Sequence, residues 1–271
     1  MGIVELKEIA GEGPGLFYHL TDAQLRSKQE PEKGIFIAEG PKVVHTALDH
    51  GYLPVSLLMR KKFVDQPLGL EIMARCGDIP VYTAEDDLLA DLTGFKLQRS
   101  WVLCAMRRPA AQNMAPVLQN AHRVAVLEGI TEPSNVGAIF RSAAALGADA
   151  ILLTPTCCDP LHRRSVRVCM GAVFTVPWAR TDEALGFPEL QAQGFKTVGL
   201  ALRDNCFSLD DPAIAAEDRL AIYLGTEDTG LTAAVIDRCD YIAQIPMREG
   251  IDSLNVAAAA AVAFWELRSR K

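Results

Sequence analysis

Three polar loops hold the residues best suited to chemistry. The first, Glu132 to Ser142, reads EPSNVGAIFRS and sets Asn135 and Arg141 six positions apart across the start of a helix. If Asn135 sits in the loop, both can reach the space above that helix start, where free backbone N–H groups favour phosphate or carboxylate. Arg141 adds a planar, permanently charged fork. The second, Leu224 to Leu231, reads LGTEDTGL and sets Glu227 between Gly225 and Gly230, at the end of an apolar run. Those glycines permit left-handed turns or close backbone approach. The carboxylate can accept hydrogen bonds from a ribose or orient a nucleophile. The third lies in Gly250 to Lys271, GIDSLNVAAAAAVAFWELRSRK, with Ser253 and Asn255 ahead of a helix and Ile245, Met247 and Leu254 nearby. Apolar walls with a few polar groups suit an adenine and a thioether-like methyl donor. Each loop alone has a plainer explanation: a helix cap, an ordinary turn, a surface arginine. Together they describe a site for a cofactor and a nucleotide.

The elements that must position these loops follow from hydrophobic periodicity. Ser253 reads as the N-cap of the last helix, and Ala257 to Ala261 is a row of small residues that lets another backbone approach closely. Just before it, AQIPM over 243–247 is strand-like. Arg123 to Glu128 reads as a buried strand, Val136 to Leu146 as a helix ended by Gly147, and Ala150 to Thr154 as the next strand. Such a βαβ unit implies a parallel sheet with right-handed crossovers. Helices are expected over Ser165 to Gly171, Leu185 to Gln193 and Thr232 to Arg238. Strands are expected over Val173 to Pro177, Thr197 to Ala201, Leu220 to Leu224 and Tyr241 to Ile245.

The N-terminal part alternates strands (Gly34 to Ala38, Val55 to Met59, Ile79 to Tyr82, Trp101 to Ala105) with helices (Pro41 to His50, Leu68 to Cys76, Asp86 to Leu92). A short helix is expected over Thr21 to Lys28. Residues 1–15 read as a flexible lead-in ending in GEGPG. Met106 to Asn120, with Pro109 and Pro116, reads as a linker. The resulting division is an α/β domain over 1–106, a linker over 107–120 and a second α/β domain over 121–271.

Composition bounds the partners. The chain has 271 residues, 49% hydrophobic, and a net charge of −7, which argues mildly against nucleic acid unless local patches exist. Patches do exist: Arg60-Lys61-Lys62, Arg107-Arg108, and His162, Arg163, Arg164 and Arg167. The seven cysteines form no C-x-x-C pair, and no His/Cys cluster suggests a metal. Adjacent Cys157 and Cys158 fit ordinary core residues. No apolar run resembles a membrane span and Met1 to Ala10 does not resemble a signal peptide, so a cytoplasmic location is expected. No G-x-G-x-x-G follows the first strand of either domain, which disfavours a nicotinamide-dependent enzyme.

Taken in order, NVGAIFRSA, LGTEDTGL and IPMREGIDSLNVAAAAAV closely resemble the three motifs of the SpoU (TrmH-like) family of RNA ribose 2′-O-methyltransferases, in the SPOUT superfamily. RSVRVCMGAVFTVP over 164–177 resembles that family's stretch between the first and second motifs, with Cys169 where a serine is more usual. The resemblance covers about residues 120–271. More loosely, 15–105 resembles the ribosomal-protein-like RNA-binding domain of many members, best in IFIAEGPKVVHTAL.

The resemblance implies a parallel-sheet domain whose C-terminal chain forms a trefoil knot, a homodimer with its site near the subunit interface, and S-adenosylmethionine as cofactor. Gly225, Ile245 and Leu254 would touch the cofactor, with Leu200, Ala201 and Met247 nearby. Arg141 matches the arginine proposed to activate the ribose hydroxyl, and Asn135, Glu227, Ser253 and Asn255 match the other polar motif residues. Arg163, Arg164 and Arg167 become candidate phosphate contacts on RNA, taken as lying on the same domain as the first loop. A ribose hydroxyl is a poor nucleophile at neutral pH, and free arginine, with a pKa above about 12, is a poor base. Arg141 would act either as an unusually activated base or by binding phosphate and orienting the hydroxyl, and elementary chemistry favours orientation. The separate N-terminal domain leans towards structured rRNA over tRNA. A catalytically inactive RNA-binding protein of the same fold is the alternative, against which the five intact polar residues speak.

Overall fold

The computed structural model describes residues 2–9, 13–21, 30–97, 100–182, 184–203, 206–248 and 253–269. The helix expected over Thr21 to Lys28 falls outside them but for Thr21, as do Gly250 to Asp252. Contacts divide the chain into one unit of 1–110 plus 161–174 and another of 111–160 plus 175–271.

The first unit is built on β1 (Ile3–Glu5), β2 (Ile35–Glu39), α1 (Pro41–Asp49), β3 (Pro54–Arg60), α2 (Pro67–Cys76), β4 (Val81–Ala84), α3 (Asp86–Thr93) and β5 (Val102–Arg107). The sheet runs β1-β4-β3-β5-β2. The β1–β4 and β4–β3 pairs are parallel, and β5 runs antiparallel to both its neighbours. Pro41 opens α1, where its missing N–H has no partner to lose. Leu58, Leu103, Ile37 and Leu89 form part of the core. The lead-in expected at the N-terminus is instead an edge strand: Ile3, Val4 and Glu5 pair with Val81, Tyr82 and Thr83. Backbone pairing with an open sheet edge needs little side-chain signal, and this exposed three-residue strand carries almost none.

The second unit contains α4 (Met114–Leu118), β6 (Arg123–Leu127), α5 (Pro133–Leu146), β7 (Ala150–Leu153), β8 (Trp178–Arg180), α7 (Phe187–Ala192), β9 (Lys196–Leu200), β10 (Phe207–Ser208), α8 (Pro212–Ala215), β11 (Leu220–Leu224), α9 (Ala233–Ile236), β12 (Tyr241–Gln244) and α10 (Val256–Glu266). The remaining helix, α6 (Arg163–Val168), belongs to the first unit. The sheet has seven strands in the order β10-β12-β9-β11-β6-β7-β8, every pair parallel. All five residues of β6 and of β11 are buried, which is why RVAVL and LAIYL read as apolar runs with no alternation. The order turns back between β6 and β11, and open parallel sheets place ligands beyond the strand C-termini at such a reversal.

Several expectations change. The linker holds α4, whose Val117 and Leu118 join the core; Pro116 stands in its first turn, where no N–H is required. The strand expected over Val173 to Pro177 begins only at Trp178, because Ala172–Phe174 turns as a 3₁₀ helix. Residues 161–174 group with the first unit and not with the first polar loop. There Phe174 packs on Phe36 (5.6 Å) and Tyr52 (4.7 Å). Glu39, 3% exposed, pairs with Arg163, and with Arg167 at 3.4 Å.

The C-terminal helix α10 packs on α5. Its buried residues Val256, Ala260, Ala263 and Phe264 follow helical spacing, and the alanines admit a close helix. Arg123 anchors its far end. That guanidinium is 5% exposed and donates to five carbonyls, among them Leu267, Asp218 at 2.9 Å and Glu217 at 2.9 Å. Burial pulls its pKa down, and the nearby Asp149, Asp218 and Glu217 oppose that shift. Arg123→Met orphans those buried carbonyls, and an expected loss of about 3 kcal/mol or more should appear as a lower urea midpoint.

Candidate active site

The three loops meet at one side chain. Asn255, rather than Ser253, is the N-cap of α10: its Oδ1 accepts from Ala257 N at 3.0 Å and Ala258 N at 3.4 Å. Its Nδ2 donates to Asn135 Oδ1 at 3.1 Å and to Glu227 Oε1. The oxygen faces only donors and the nitrogen only acceptors, so the amide orientation is self-consistent. One residue thus caps a helix and ties it to the first turn of α5, which follows β6, and to the loop after β11.

Asn135 reaches this junction from inside a helix. Helix α5 begins at Pro133, with Glu132 as N-cap accepting from Ser134 N at 3.3 Å, so Asn135 is the third helical residue and not part of the preceding loop. At 9% exposure its side chain is fixed. Gly147 in a left-handed conformation (φ 81°) ends the helix.

The LGTEDTGL loop is a tight hairpin. Thr226 N donates to Gly230 O at 3.2 Å and Gly230 N to Thr226 O at 3.1 Å, and Thr226 and Thr229 hydroxyls lie 2.8 Å apart. A Cβ on Gly225 would stand 2.2 Å from the Gly230 carbonyl carbon and 2.4 Å from Leu231 N, both backbone atoms. Gly230 has a φ of 67°, which an L side chain rarely adopts. Gly225→Ala therefore forces the hairpin open. Its expected cost is about 1–3 kcal/mol, visible as a lower melting temperature.

Beside the junction lies a cavity of about 390 Å³, beyond the C-terminal ends of β9, β11 and β12. Leu200, Ala201, Gly225, Ile245, Met247 and Leu254 all line it, with Glu227 and Ser253. The structure thus gathers around one space the three residues expected to touch a cofactor, Gly225, Ile245 and Leu254, and the three expected nearby, Leu200, Ala201 and Met247. Glu227 belongs to both the cavity and the junction. Asn255 adjoins it through that carboxylate, and Asn135 through Asn255.

Arg141 is not drawn into the cluster. It is exposed on α5, and its side chain makes no hydrogen bond or ion pair among the described residues. Six positions along a helix turn a side chain about 120° from Asn135 and move it about 9 Å. Arg163, Arg164 and Arg167 stand on α6 in the other unit. Arg163 is largely enclosed by Glu39 and the Phe95 ring (4.6 Å), whereas Arg164 and Arg167 are exposed.

Two contributors carry only weak sequence signals. Glu128, 7% exposed, accepts from Thr232 N at 2.9 Å and Thr232 Oγ1 at 2.7 Å, fixing the far side of the hairpin. Its one trace is an acid closing an apolar strand. Arg203 also lines the cavity, and nothing in its local sequence distinguishes it from a surface arginine. No group of three metal-ligating side chains occurs among the described residues, and no helix there is long and apolar enough to cross a membrane.

Comparison with known proteins adds relatives to this geometry. The model of the SpoU rRNA Methylase family matches residues 122–265. An uncharacterized tRNA/rRNA methyltransferase of Mycobacterium bovis is 39% identical over 92% of this chain and 86% of its own length. RlmP of Bacillus subtilis, a 23S rRNA (guanosine(2553)-2'-O)-methyltransferase, is 27% identical over 90% of this chain and 93% of its own. Among solved structures, the AdoMet-bound rRNA methyltransferase from Sinorhizobium meliloti superposes with a TM-score of 0.82 at 24% identity, covering 98% of this chain and 97% of that one. The SpoU methyltransferase AviRb from Streptomyces viridochromogenes gives 0.78 at 24%, covering 94% and 96%. At these identities the two structures speak to the fold, an α/β architecture with a parallel sheet.

Proposed function

This chain belongs to the SpoU rRNA methylase family, and on that premise we propose that it methylates a ribose 2′-hydroxyl in structured RNA, rRNA in preference to tRNA, using S-adenosylmethionine. An S-adenosylmethionine-dependent RNA methyltransferase is what the family makes it; the ribose and the rRNA are the finer reading, supported by the likeness to RlmP. The observation that carries it is the Asn255 junction beside the cavity. The segments that follow three strands converge on one amide, which a helix cap alone would not require.

The residues present fit the cofactor. The cavity is within the size range of small-molecule sites, with apolar walls and few polar groups. When bound, S-adenosylmethionine supplies an electrophilic methyl on a sulfonium. Leu200, Ile245, Met247 and Leu254 would pack its nucleoside and exclude water, and Gly225 lets the backbone approach it. Glu227, held by Asn255, would accept a hydrogen bond from the ribose. Asn135, held by the same amide, would fix the sugar's position. Arg141 would bind the neighbouring phosphate and orient the hydroxyl. Alignment of oxygen with the methyl is the main task left to the protein.

The rest of the reading is an assembly. In this reading the unit built on residues 1–106 binds RNA, 107–120 connect it and supply α4 to the second core, and 121–271, apart from the 161–174 segment that groups with the first unit, carry the chemistry as a trefoil-knotted domain, in a cytoplasmic homodimer whose site lies near the subunit interface. Arg164 and Arg167 contact phosphate; Arg163, held by Glu39, serves the fold of its own unit. The likeness in fold to SpoU methyltransferases supports the knot.

Transfer of labelled methyl from S-adenosylmethionine to unmodified rRNA and, separately, tRNA, followed by nucleoside analysis, tests this. A 2′-O-methylated nucleoside from rRNA is the expected result. Label confined to tRNA overturns the rRNA preference, and label on a base overturns the ribose assignment. No label in either pool together with no cofactor binding would leave an RNA-binding protein without catalysis.

A further inference from the structure

We propose that Arg203 binds the carboxylate of the cofactor's methionine moiety, so that the cavity recognises the amino-acid end of its ligand as well as the nucleoside. This rests on the cofactor reading above. Arg203 lines the cavity three residues beyond the end of β9, following Leu200, Ala201 and Leu202, which line it too. It is exposed, so it stands at the rim.

The charges in this space are few. Among the described lining residues Arg203 is the one cation and Glu227 the one carboxylate. The carboxylate is engaged by Asn255. Arg203 has no hydrogen bond or ion pair among the described residues. Several other arginines are tied down: Arg60 on Asp86, Arg75 on Asp49, Arg163 on Glu39, and Arg123 and Arg219 on backbone carbonyls.

The ligand's own charges match that pair. Its amino-acid end carries one carboxylate and one ammonium, and the sulfonium adds a second positive charge. Of the two ionised side chains, only Arg203 attracts the carboxylate, while Glu227 repels it and favours the cationic groups. A guanidinium presents two parallel N–H donors to a carboxylate, a match an ammonium lacks. Its place at the rim keeps the desolvation cost of both charges low. It also limits the strength of the pair, because water and salt screen it. The role is therefore ligand discrimination, with a modest share of affinity.

Isothermal titration calorimetry on the full chain tests this with two ligands, S-adenosylhomocysteine and 5′-methylthioadenosine, the second of which lacks the amino-acid end. Arg203→Ala is expected to weaken S-adenosylhomocysteine about three- to tenfold and to leave 5′-methylthioadenosine within about twofold. Arg203→Lys should fall between wild type and Ala, and Arg203→Glu should lose more than Ala. Equal losses for both ligands would mean that Arg203 only shapes the cavity and would overturn the proposal, as would unchanged affinity for S-adenosylhomocysteine. A wild-type protein that binds neither ligand overturns the cofactor reading itself, and that outcome is seen before any variant is made.

Discussion

Replacement of Asn255 by alanine is expected to lower methyl transfer by about 100-fold or more, because it releases two loops at once. Its amide holds Asn135 and Glu227, and its oxygen caps α10. The same change should cost about 1–2 kcal/mol of stability through the lost cap. The two effects can be separated. Asn255→Asp keeps an oxygen for Ala257 N and Ala258 N but replaces the donor with a second carboxylate facing Glu227. It should therefore melt closer to wild type than Asn255→Ala while losing at least as much turnover. Thermal melts and single-turnover rates on the two variants supply the check. Near-normal turnover in Asn255→Asp would remove the junction from the mechanism.

Loss of Arg141 should be larger still. Arg141→Ala is expected to reduce transfer about 1000-fold, the upper end of what removing one charge-stabilising donor from a site costs. Stability should hold within about 0.5 kcal/mol, because the side chain is exposed and makes no hydrogen bond or ion pair among the described residues. Arg141→Lys keeps the charge and loses the planar fork, so a partial rate is expected. Helical geometry turns Arg141 away from the junction of its own chain, which favours a site completed by a second copy. If so, co-refolding equal amounts of Arg141→Ala and Asn255→Ala should restore roughly a quarter of wild-type activity, since half the dimers would hold one intact site. If Arg141 serves its own chain, the mixture stays inactive. Retained turnover in Arg141→Ala alone would end its assignment to the reaction.

Both experiments turn on residues visible in the sequence, but not on equal grounds. Asn255 is a cap-type residue ahead of an alanine-rich helix, and the nearby Ser253 is as good a candidate by propensity. Only the helix start at Val256 decides between them. A helix read from Val136 leaves Asn135 just ahead of it, but helix starts are set by backbone geometry: Pro133 with Glu132 as cap starts the turn two residues before Asn135. Arg163 read as a surface cation. Its partner Glu39 lies 124 residues earlier in the chain, and no local pattern connects them.

What the sequence determined by itself was most of the elements and most of the inventory of the site. Buried parallel strands are written as apolar runs, the glycines at 225 and 230 mark a backbone constraint, and the motif residues stand beside their strands. These are local properties, carried by a few adjacent side chains. What the tertiary structure alone decided was which of those residues meet. Asn135, Glu227 and Asn255 span 120 positions and share one hydrogen-bonded junction, while Arg141, six residues from Asn135, stands apart from it. Strand order and helix phase set such proximities, and they arise from packing between distant segments.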